Sequence, residues 1–443
     1  MFNARSLSLR DAILVLVGAT CMHIASSVFG GLNPGIYSGD IIVNTQVNQH
    51  APPPAQQPEI TIVAAPPKAP AAPPTVDVAY DFTETTIDSH APGWTMFRNL
   101  YMSNGTLFVV SRYPYTHFPD INLITSTGLA AENTPENIAA RMPTSKDLDF
   151  ITPEQARARW GPIASKPRST NRVWNVHGNT ILWNDPSQFL DHYYHFCAEL
   201  LFGTWAFWQG AHNAKVEPKH AELTSAPTFT RAIFAHAKAE GWRDRPGFNS
   251  YFLRSAFPSL TVEVQSDWED RIAATSAGGD HARAWHFDTV LFADRSAAFR
   301  GVVCGTQVHR TAGEAFHHMR NKGNLTRWWW EPVRRGVLKF AGVDQRVTEI
   351  GVRAQIEAEK AKADVGGVRP PRRDVVITYI DRQGVRRHLI EEDHKQLVDA
   401  LHELCAVKGW ELNIVQAEKL TKDQQVDLAA RTTVCVHHMS WNV

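Results

Sequence analysis

The sequence predicts an α/β fold that includes a parallel, Rossmann-like βαβαβ unit. Three observations predict it. β-branched runs alternate with amphipathic helical segments in the C-terminal part, the links between them are short, and no internal repeat interrupts the pattern. Because consecutive parallel strands need a crossover connection, this order is typical of a parallel sheet.

Composition limits the class of protein. The chain has 443 residues, a formal net charge of zero and a hydrophobic fraction of 43%. We therefore expect two or three domains and no nucleic-acid partner, because nucleic-acid-binding proteins usually carry a strong basic excess. The five cysteines are far apart and form no CxxC pair, so neither a disulfide framework nor a zinc finger is predicted.

The first element is an apolar stretch that begins after two arginines. Residues 12–29 are predominantly apolar and follow Arg5 and Arg10. This pattern predicts a short membrane-spanning helix with a cytosolic N-terminus, and a cleaved signal peptide is the alternative. We assign residues 1–33 to a cytosolic tail and signal anchor, with the remainder of a single-pass type II protein in the secretory lumen.

The second element, residues 34–82, is predicted to be a stem. Its segment APPPAQQPEITIVAAPPKAPAAPP is too rich in proline and alanine to build a core and favours extended chain. The globular part begins at about Thr83. Two N-glycosylation sequons, at Asn104 and Asn324, suit a lumenal compartment.

The segment DHYYHFCAELLFGTW, residues 191–205, concentrates side chains that can do chemistry. In a helix, His192, His195 and Glu199 would share one face. Three interpretations stay open: a general-base site in which Glu199 orients a histidine, a metal site, and a buried structural helix. We favour the general base, because the spacing is not that of HExxH.

Two neighbouring segments frame this helix in our prediction. WNVHGNTILWNDP, residues 174–186, is predicted to be strand-turn-strand, with Asn179 and Asn184 as turn residues. Arg295 follows an apolar run at an expected strand end. It can contact a phosphate or an acceptor, or pair with Asp294.

The C-terminal unit supplies the parallel sheet. Its first helix has an acidic first turn and ends at Gly409, and its second helix begins with a capping box of Thr421 and Gln424. The predicted strands are residues 374–380, 411–416 and 432–436, and the second helix is residues 422–430.

A loop with three arginines follows the first of these strands. Arg382, Arg386 and Arg387 lie between the strand and the next helix. Phosphates bind at such positions and guanidinium groups bind them in pairs of hydrogen bonds, so the loop predicts a diphosphate clamp. The alternative is a solvated loop whose charge is neutralised by the acidic residues 391–393. Neither a GxGxxG nor a P-loop motif is present.

Several ordered blocks of the chain resemble glycosyltransferase family 61. ITYIDRQGVRRHLIEEDH and GWELNIVQAEKLTKDQQVDLAARTTVCVHH are similar to the family's C-terminal part, and DHYYHFCAELLFGTW resembles its HYYHF-x-AE segment. LFADRSAAFRG and RWWWEPVRRGVL resemble the fungal branch, which includes transferases of xylose and of N-acetylglucosamine to EGF domains. The likeness extends over roughly residues 90–438.

This resemblance implies the GT-B architecture, with two Rossmann-like domains. Residues 83–340 would form the acceptor-side domain and residues 341–443 a partial nucleotide-sugar-binding domain. The implied activity is an inverting transfer of xylose or N-acetylglucosamine from a UDP-sugar to a glycan or glycoprotein hydroxyl, in the Golgi apparatus or endoplasmic reticulum. The resemblance implies that no metal or other cofactor is required.

The resemblance also implies roles for the candidate residues. The catalytic set is His192, His195 and Glu199. The set for the nucleotide sugar is Arg295, Arg382, Arg386, Arg387 and His437.

The last residues depart from the family. Where members continue with a segment like GVHGNGLTH, this chain reads VHHMSWNV, so His437 matches the family's histidine but the glycines after it are absent. We therefore expect an incomplete C-terminal domain from a truncated transferase. Two alternatives remain: a non-catalytic lumenal glycan-binding protein, and a metal-dependent hydrolase centred on His192, His195 and Glu199.

Overall fold

A computed structural model describes most of the chain after the predicted stem. The described residues are 82–132, 134–166, 169–188, 190–212, 226–279, 282–300, 311–323, 325–326, 328–349, 375–384 and 388–437. They belong to one compact unit. No helix within these ranges is long and apolar enough to cross a membrane, and the predicted anchor and stem lie outside them.

A mixed sheet of eight strands forms the larger part of the fold. Its order is β4-β3-β2-β8-β5-β6-β7, with β1 paired to β2. Strand β2 runs antiparallel to β1, β3 and β8, and the other pairs are parallel. The strands are β1 (Thr86–Ala91), β2 (Trp94–Ser103), β3 (Thr106–Val110), β4 (Leu148–Ile151), β5 (Val173–Pro186), β6 (Arg231–His236), β7 (Thr261–Glu263) and β8 (Ala284–Ala293).

The order β7-β6-β5-β8 has a direct consequence for ligand binding. It matches the 3-2-1-4 order of a doubly wound sheet, which reverses between its first and fourth strands. Ligands bind such sheets outside the carboxyl ends of the strands at the reversal, which here are β5 and β8.

Helices lie between the strands and bury a largely aromatic core. Trp183 on β5 packs against Phe234 on β6 with ring centroids 4.6 Å apart, and Phe234 stacks on Trp242 at 5.1 Å. A π-helical segment, Tyr194–Leu201, runs directly into α4. The helices are α1 (Ile121–Ile124), α2 (Pro135–Ala140), α3 (Pro153–Trp160), α4 (Phe202–His212), α5 (Phe248–Ala256), α6 (Gln265–Ser276), α7 (Arg295–Ala298), α8 (Thr311–Asn321), α9 (Glu331–Phe340), α10 (Glu391–Lys408) and α11 (Lys422–Arg431).

A second, parallel sheet of three strands carries the C-terminal part. Its strands β9 (Val376–Ile380), β10 (Glu411–Val415) and β11 (Val434–His437) have the order β10-β9-β11, with α10 and α11 as the intervening helices. The predicted strand-helix-strand-helix-strand order and its parallel pairing are confirmed.

The predicted helix ends of this unit are confirmed too. Gly409 ends α10 in the left-handed region at φ 65°, which glycine adopts without steric cost. Thr421 and Gln424 form both bonds of the capping box of α11, at 3.2 and 2.9 Å. The mixed α/β class is therefore confirmed, while the finer assignment to two Rossmann-like domains stays a prediction.

The segment before the histidines differs from our prediction. Residues 173–186 form one strand, β5, instead of strand-turn-strand. Its pairing with β8 shifts register between Val176 and Asn179, where the main-chain nitrogen of Gly178 donates to Asp288 Oδ2 at 3.0 Å. His177 and Gly178 thus oppose Asp288 in a β-bulge, while Asn179 and Asn184, which we predicted as turn residues, lie within the strand.

Candidate functional site

The histidine-rich segment lies where the sheet order reverses. Strand β5 ends at Pro186, and the chain returns into the segment Tyr194–Leu201, which is π-helical and not α-helical as we expected. Two side chains donate hydrogen bonds to main-chain carbonyls of this segment. Arg295 donates to the carbonyl of His195 at 3.2 Å, and Thr204 donates to that of Leu200 at 2.7 Å. These contacts favour a departure from the regular α-helical pattern, and π-helical turns occur frequently at functional sites.

A row of charged side chains connects the two strand ends. Arg295, the first residue after the cap of α7, donates Nε to Oδ1 of Asp185 at the end of β5, and Nη1 to Oε2 of Glu199 at 2.9 Å. The other oxygen of Glu199, Oε1, lies 3.0 Å from Nδ1 of His195. Of the partners that we considered for Arg295, Asp294 is therefore not the one that it binds.

Within this row, only His195 is more than slightly exposed. The side chain of Glu199 is 1% exposed and that of Arg295 8%, whereas that of His195 is 26% exposed. Burial alone would lower the pKa of Arg295, but Asp185 and Glu199 together outweigh that effect and raise it. Burial also raises the pKa of Asp185, against the opposing charge of Arg295. The arrangement places a buried carboxylate oxygen beside a ring nitrogen of a partly exposed imidazole.

His192 lies just ahead of the π-helical segment. Its ring centroid is 5.1 Å from that of His195, so the three residues that we predicted as catalytic are brought together. Burial is the main cause that lowers the pKa of His192, and the nearby His195 adds to it. In the described part of the chain, no three His, Cys, Asp or Glu side chains are grouped so that they could hold a metal ion.

A second network beneath this row fixes the loops around it. Asp294 Oδ2 accepts from the main-chain nitrogen of Ser126 at 2.6 Å and from Asn184 Nδ2 at 2.8 Å, while Oδ1 accepts from the nitrogen of Ala297 at 3.0 Å. Asn184 Oδ1 lies 3.0 Å from Nε2 of His236 at the end of β6. The ends of β5, β6 and β8 are thereby joined to one loop.

That loop passes directly over His236. Gly128 has φ +73°, and a Cβ at this position would come within 2.3 Å of His236 Nε2. Only glycine satisfies both the backbone conformation and the close approach.

The second candidate site lies at the corresponding edge of the small sheet. Arg382 follows the end of β9, and His437 is paired with Ile380 at the end of β11. The order of this sheet reverses between β9 and β11, so both residues lie at its reversal point. Asp381, the residue between the end of β9 and Arg382, accepts from Gln416 Nε2 at 2.8 Å. Arg386 and Arg387 lie outside the described residues.

Comparison with protein-family models, with curated proteins and with solved structures finds no match to this chain. Its geometry is therefore the basis for any functional conclusion. The predicted catalytic residues lie at the reversal point of the large sheet, where His195 and Glu199 form one connected row with Arg295. Arg295, which we predicted in the nucleotide-sugar set, is thereby separated from Arg382 and His437 of that set, which lie at the reversal point of the small sheet.

Sequence reasoning missed four residues of the large-sheet site: Ser126, Asn184, Asp185 and His236. A usable signal existed for three of them, because Asn184, Asp185 and His236 are polar residues at the ends of strongly apolar strands. Polar residues at the carboxyl ends of parallel strands indicate a ligand site. Ser126 carried no such signal.

The predicted glycosylation site Asn104 lies in a tight turn. Asn104 and Gly105 have φ of 50° and 82° and connect β2 to β3 as an Asn-Gly hairpin turn. The main-chain nitrogen of Asn104 donates to Thr275 at 2.8 Å, and its side-chain carbonyl accepts from Ser276. The tight turn accounts for the Asn-Gly pair at this position. Glycosylation of Asn104 stays a prediction. Asn324, the other predicted glycosylation site, lies outside the described residues.

Proposed function

We propose that the protein is an inverting glycosyltransferase that moves a sugar from a UDP-linked donor to a hydroxyl of a glycan or glycoprotein. The observation that carries the proposal is the row from Asp185 through Arg295 and Glu199 to His195, at the reversal point of the large sheet. A histidine held by a buried carboxylate is the arrangement that a general base requires.

In the proposed reaction His195 removes the proton of the acceptor hydroxyl. Glu199 holds Nδ1 of the ring, which directs Nε2 toward the acceptor, and Arg295 holds Glu199 in place. The acceptor oxygen forms a bond to the anomeric carbon of the donor sugar while the bond from that carbon to the phosphate oxygen breaks. The proton stays on His195 and the electron pair of the broken bond leaves with UDP. Because the acceptor oxygen attacks the face opposite the leaving phosphate, the configuration at the anomeric carbon is inverted.

The small-sheet site would hold the leaving diphosphate. Arg382 and His437 at adjacent strand ends, with Arg386 and Arg387 on the following loop, would supply positive charge where negative charge develops. Two Rossmann-like domains, a lumenal location and a signal anchor are parts of the same proposal. The transferred sugar would be xylose or N-acetylglucosamine.

The experiment that tests this proposal is a calorimetric titration of the full chain with UDP. We expect saturable binding that is weakened at least tenfold by Arg382→Ala, because each charge-assisted contact to phosphate contributes roughly 1.5 to 3 kcal/mol. Arg346→Ala, which removes an exposed arginine paired only locally with Asp344, is the matched control. A folded protein that does not bind UDP would contradict the proposal.

One observation favours a second function, glycan binding without catalysis. Glu391, Glu392 and Asp393 occupy the first turn of α10, where a phosphate would otherwise meet the positive end of the helix dipole. Three carboxylates at this point oppose a diphosphate. If glycans bind while UDP does not, this second function replaces the first.

If UDP binds, turnover tests the base. We expect His195→Gln to lower kcat by roughly 10² to 10⁴ while UDP affinity stays unchanged, because the general base acts on the acceptor. His177→Gln is the control, because this side chain is 76% exposed and lies toward the amino-terminal end of β5, whereas the site lies at its carboxyl end.

A further inference from the structure

One histidine beside the reversal point of the large sheet has no part in the proposed reaction. His236 is the last residue of β6, it pairs with Pro186 at the end of β5, and its ring is partly buried. Its Nε2 lies 3.0 Å from Oδ1 of Asn184. Within the described part of the chain, its Nδ1 makes no hydrogen bond and is not fully enclosed. An unused polar atom thus lies at the edge where ligands bind such sheets.

The hydrogen bonds of Asn184 determine which way round its amide group lies. Nδ2 is 3.0 Å from the carbonyl of Ser126 and 2.8 Å from Oδ2 of Asp294. A carbonyl can only accept, and Asp294 Oδ2 already accepts from the main-chain nitrogen and the hydroxyl of Ser126, at 2.6 and 2.8 Å. The NH₂ group must therefore face these two acceptors, so Oδ1 faces His236.

This amide orientation fixes the position of the proton on His236. Because Oδ1 of Asn184 cannot donate, Nε2 of His236 must carry the proton of the hydrogen bond between them. Burial is the main cause that lowers the pKa of His236, against the opposing charges of Asp294 and Asp147, which favours the neutral ring. A neutral imidazole has only one N–H, so Nδ1 keeps its lone pair. His236 therefore presents an acceptor, and not a donor, at the strand end.

The loop that contains Gly128 holds the ring in place. A Cβ at this position would come within 2.3 Å of Nε2 and 2.4 Å of Cδ2 of His236, so the main chain lies directly against the ring. The main-chain nitrogen of Gly128 donates to the hydroxyl of Ser126 at 3.2 Å, which connects the loop to the hydrogen bonds of Asn184 and Asp294. The place and the tautomer of His236 are thus set by the protein without a ligand.

We propose that His236 is a further substrate-binding residue, whose Nδ1 accepts a hydrogen bond from a sugar hydroxyl, and that Asn184 is the positioning residue that fixes its tautomer. A sugar hydroxyl can donate to an unprotonated nitrogen, whereas the oxygens of an ionised diphosphate only accept. The site therefore selects the sugar and not the phosphates. This inference rests on the proposed function for the class of ligand, and the state of the ring does not depend on it.

The first test is nitrogen-15 nuclear magnetic resonance of the full-length protein with labelled histidine rings. Protonated and unprotonated ring nitrogens have well-separated chemical shifts, and the signals of His236 are assigned by their loss in His236→Gln. We expect Nε2 to be protonated and Nδ1 unprotonated at neutral pH, and we expect Asn184→Ala to remove this preference. Asn175→Ala is the matched control, because it removes an oxygen 3.0 Å from Nδ1 of another histidine, His286, and should leave the signals of His236 unchanged.

The second test adds ligands to the unmodified protein. The probes are UDP-xylose, UDP-N-acetylglucosamine and the methyl glycosides of the same two sugars, with UDP as the control that lacks a transferred sugar. We expect a saturable shift of the Nδ1 signal of His236 as this nitrogen accepts a hydrogen bond. A shift with the UDP-sugars alone assigns the donor sugar to His236, and a shift with a methyl glycoside assigns the acceptor glycan.

Two results would overturn the proposal. One is a ring protonated at Nδ1, and the other is an Nδ1 signal that none of these sugars shifts. If UDP binds in calorimetry while no sugar shifts the signal, this inference alone fails. If a methyl glycoside shifts the signal while UDP does not bind, the proposed function fails and this inference stands. If His236→Gln does not fold, His236→Asn supplies the assignment.

Discussion

The two strand-end sites are built in different ways. In the large-sheet site, Arg295 is bound by two buried carboxylates, and Asp294 accepts hydrogen bonds from the main chain and from Asn184. In the small-sheet site, Asp381 accepts from the main-chain nitrogen of Gln383 at 2.9 Å and from Gln416 Nε2 at 2.8 Å, and the helix that follows begins with three carboxylates. The first site thus holds a buried cation between carboxylates, whereas Asp381 in the second accepts from uncharged donors.

This difference predicts that charge removal has its largest effect in the large sheet. Arg295→Met leaves Asp185 and Glu199 buried without their cation, which typically destabilises a protein by about 3 to 5 kcal/mol. We expect a loss of unfolding free energy of that size in urea denaturation. Arg382→Met, at the small-sheet site, is expected to lose less, because the side chain of Arg382 is only partly buried.

The control for this comparison is Arg346→Met, whose exposed pair with Asp344 contributes little. We expect its urea midpoint to match that of the unmodified protein. If Arg295→Met also unfolded at the unmodified midpoint, the buried row would not stabilise the fold, and the contrast between the two sites would be wrong.

Buried histidines of the large-sheet part should also make the fold less stable in acid. Burial lowers the pKa of His90 to about 4, with a smaller contribution from His318, and burial lowers that of His318 to about 4. Between pH 6.5 and 4 the unfolded chain therefore binds more protons than the native state, so stability falls as pH falls through this window. His90 alone accounts for up to about 3 kcal/mol.

The measurement is the unfolding free energy from urea denaturation at intervals between pH 7 and pH 4. We expect the unfolding free energy of His90→Gln to decrease less between pH 7 and pH 4, because the buried ring that must take up a proton is gone. His402→Gln changes an exposed histidine of α10, and we expect its unfolding free energy to decrease as much as that of the unmodified protein. An equal slope in His90→Gln and the unmodified protein would show that other groups cause the acid sensitivity.

The same contrast explains how far sequence reasoning reached. In the small-sheet unit, the capping box and the helix end at Gly409 were predicted correctly. Each of these features is determined by residues within a few positions of it in the sequence. The grouping of His192, His195 and Glu199 followed from helical spacing. The bond from Arg295 to Asp185 and that from Asn184 to Asp294 each join residues 110 positions apart, so no local pattern indicated them. Arg295 also donates to the carbonyl of His195 in the π-helical segment, 100 positions away, and because no local pattern indicated this contact we predicted an α-helix.

The smallest expected effect comes from a helix cap that occurs in both regions, so the same substitution can be compared in each. Thr152 with Gln155 at the start of α3, and Thr421 with Gln424 at the start of α11, form the same capping box, and each threonine accepts at 3.2 Å. Either substitution by alanine should cost about 1 kcal/mol, because the helix loses a side-chain acceptor at its first turn.

The unfolding profile then shows how the two sheets are coupled. We expect Thr152→Ala and Thr421→Ala to lower one shared transition equally, because Asp423 and Lys422 on α11 contact Tyr251 and Phe248 beside the large sheet. Far-ultraviolet circular dichroism and tryptophan fluorescence, followed in the same urea titrations, should report coincident midpoints. A Thr421→Ala protein whose circular dichroism changes before its fluorescence would show that the small sheet unfolds by itself. The contacts of Lys422 with Phe248 and of Asp423 with Tyr251 would then be too weak to couple the two sheets.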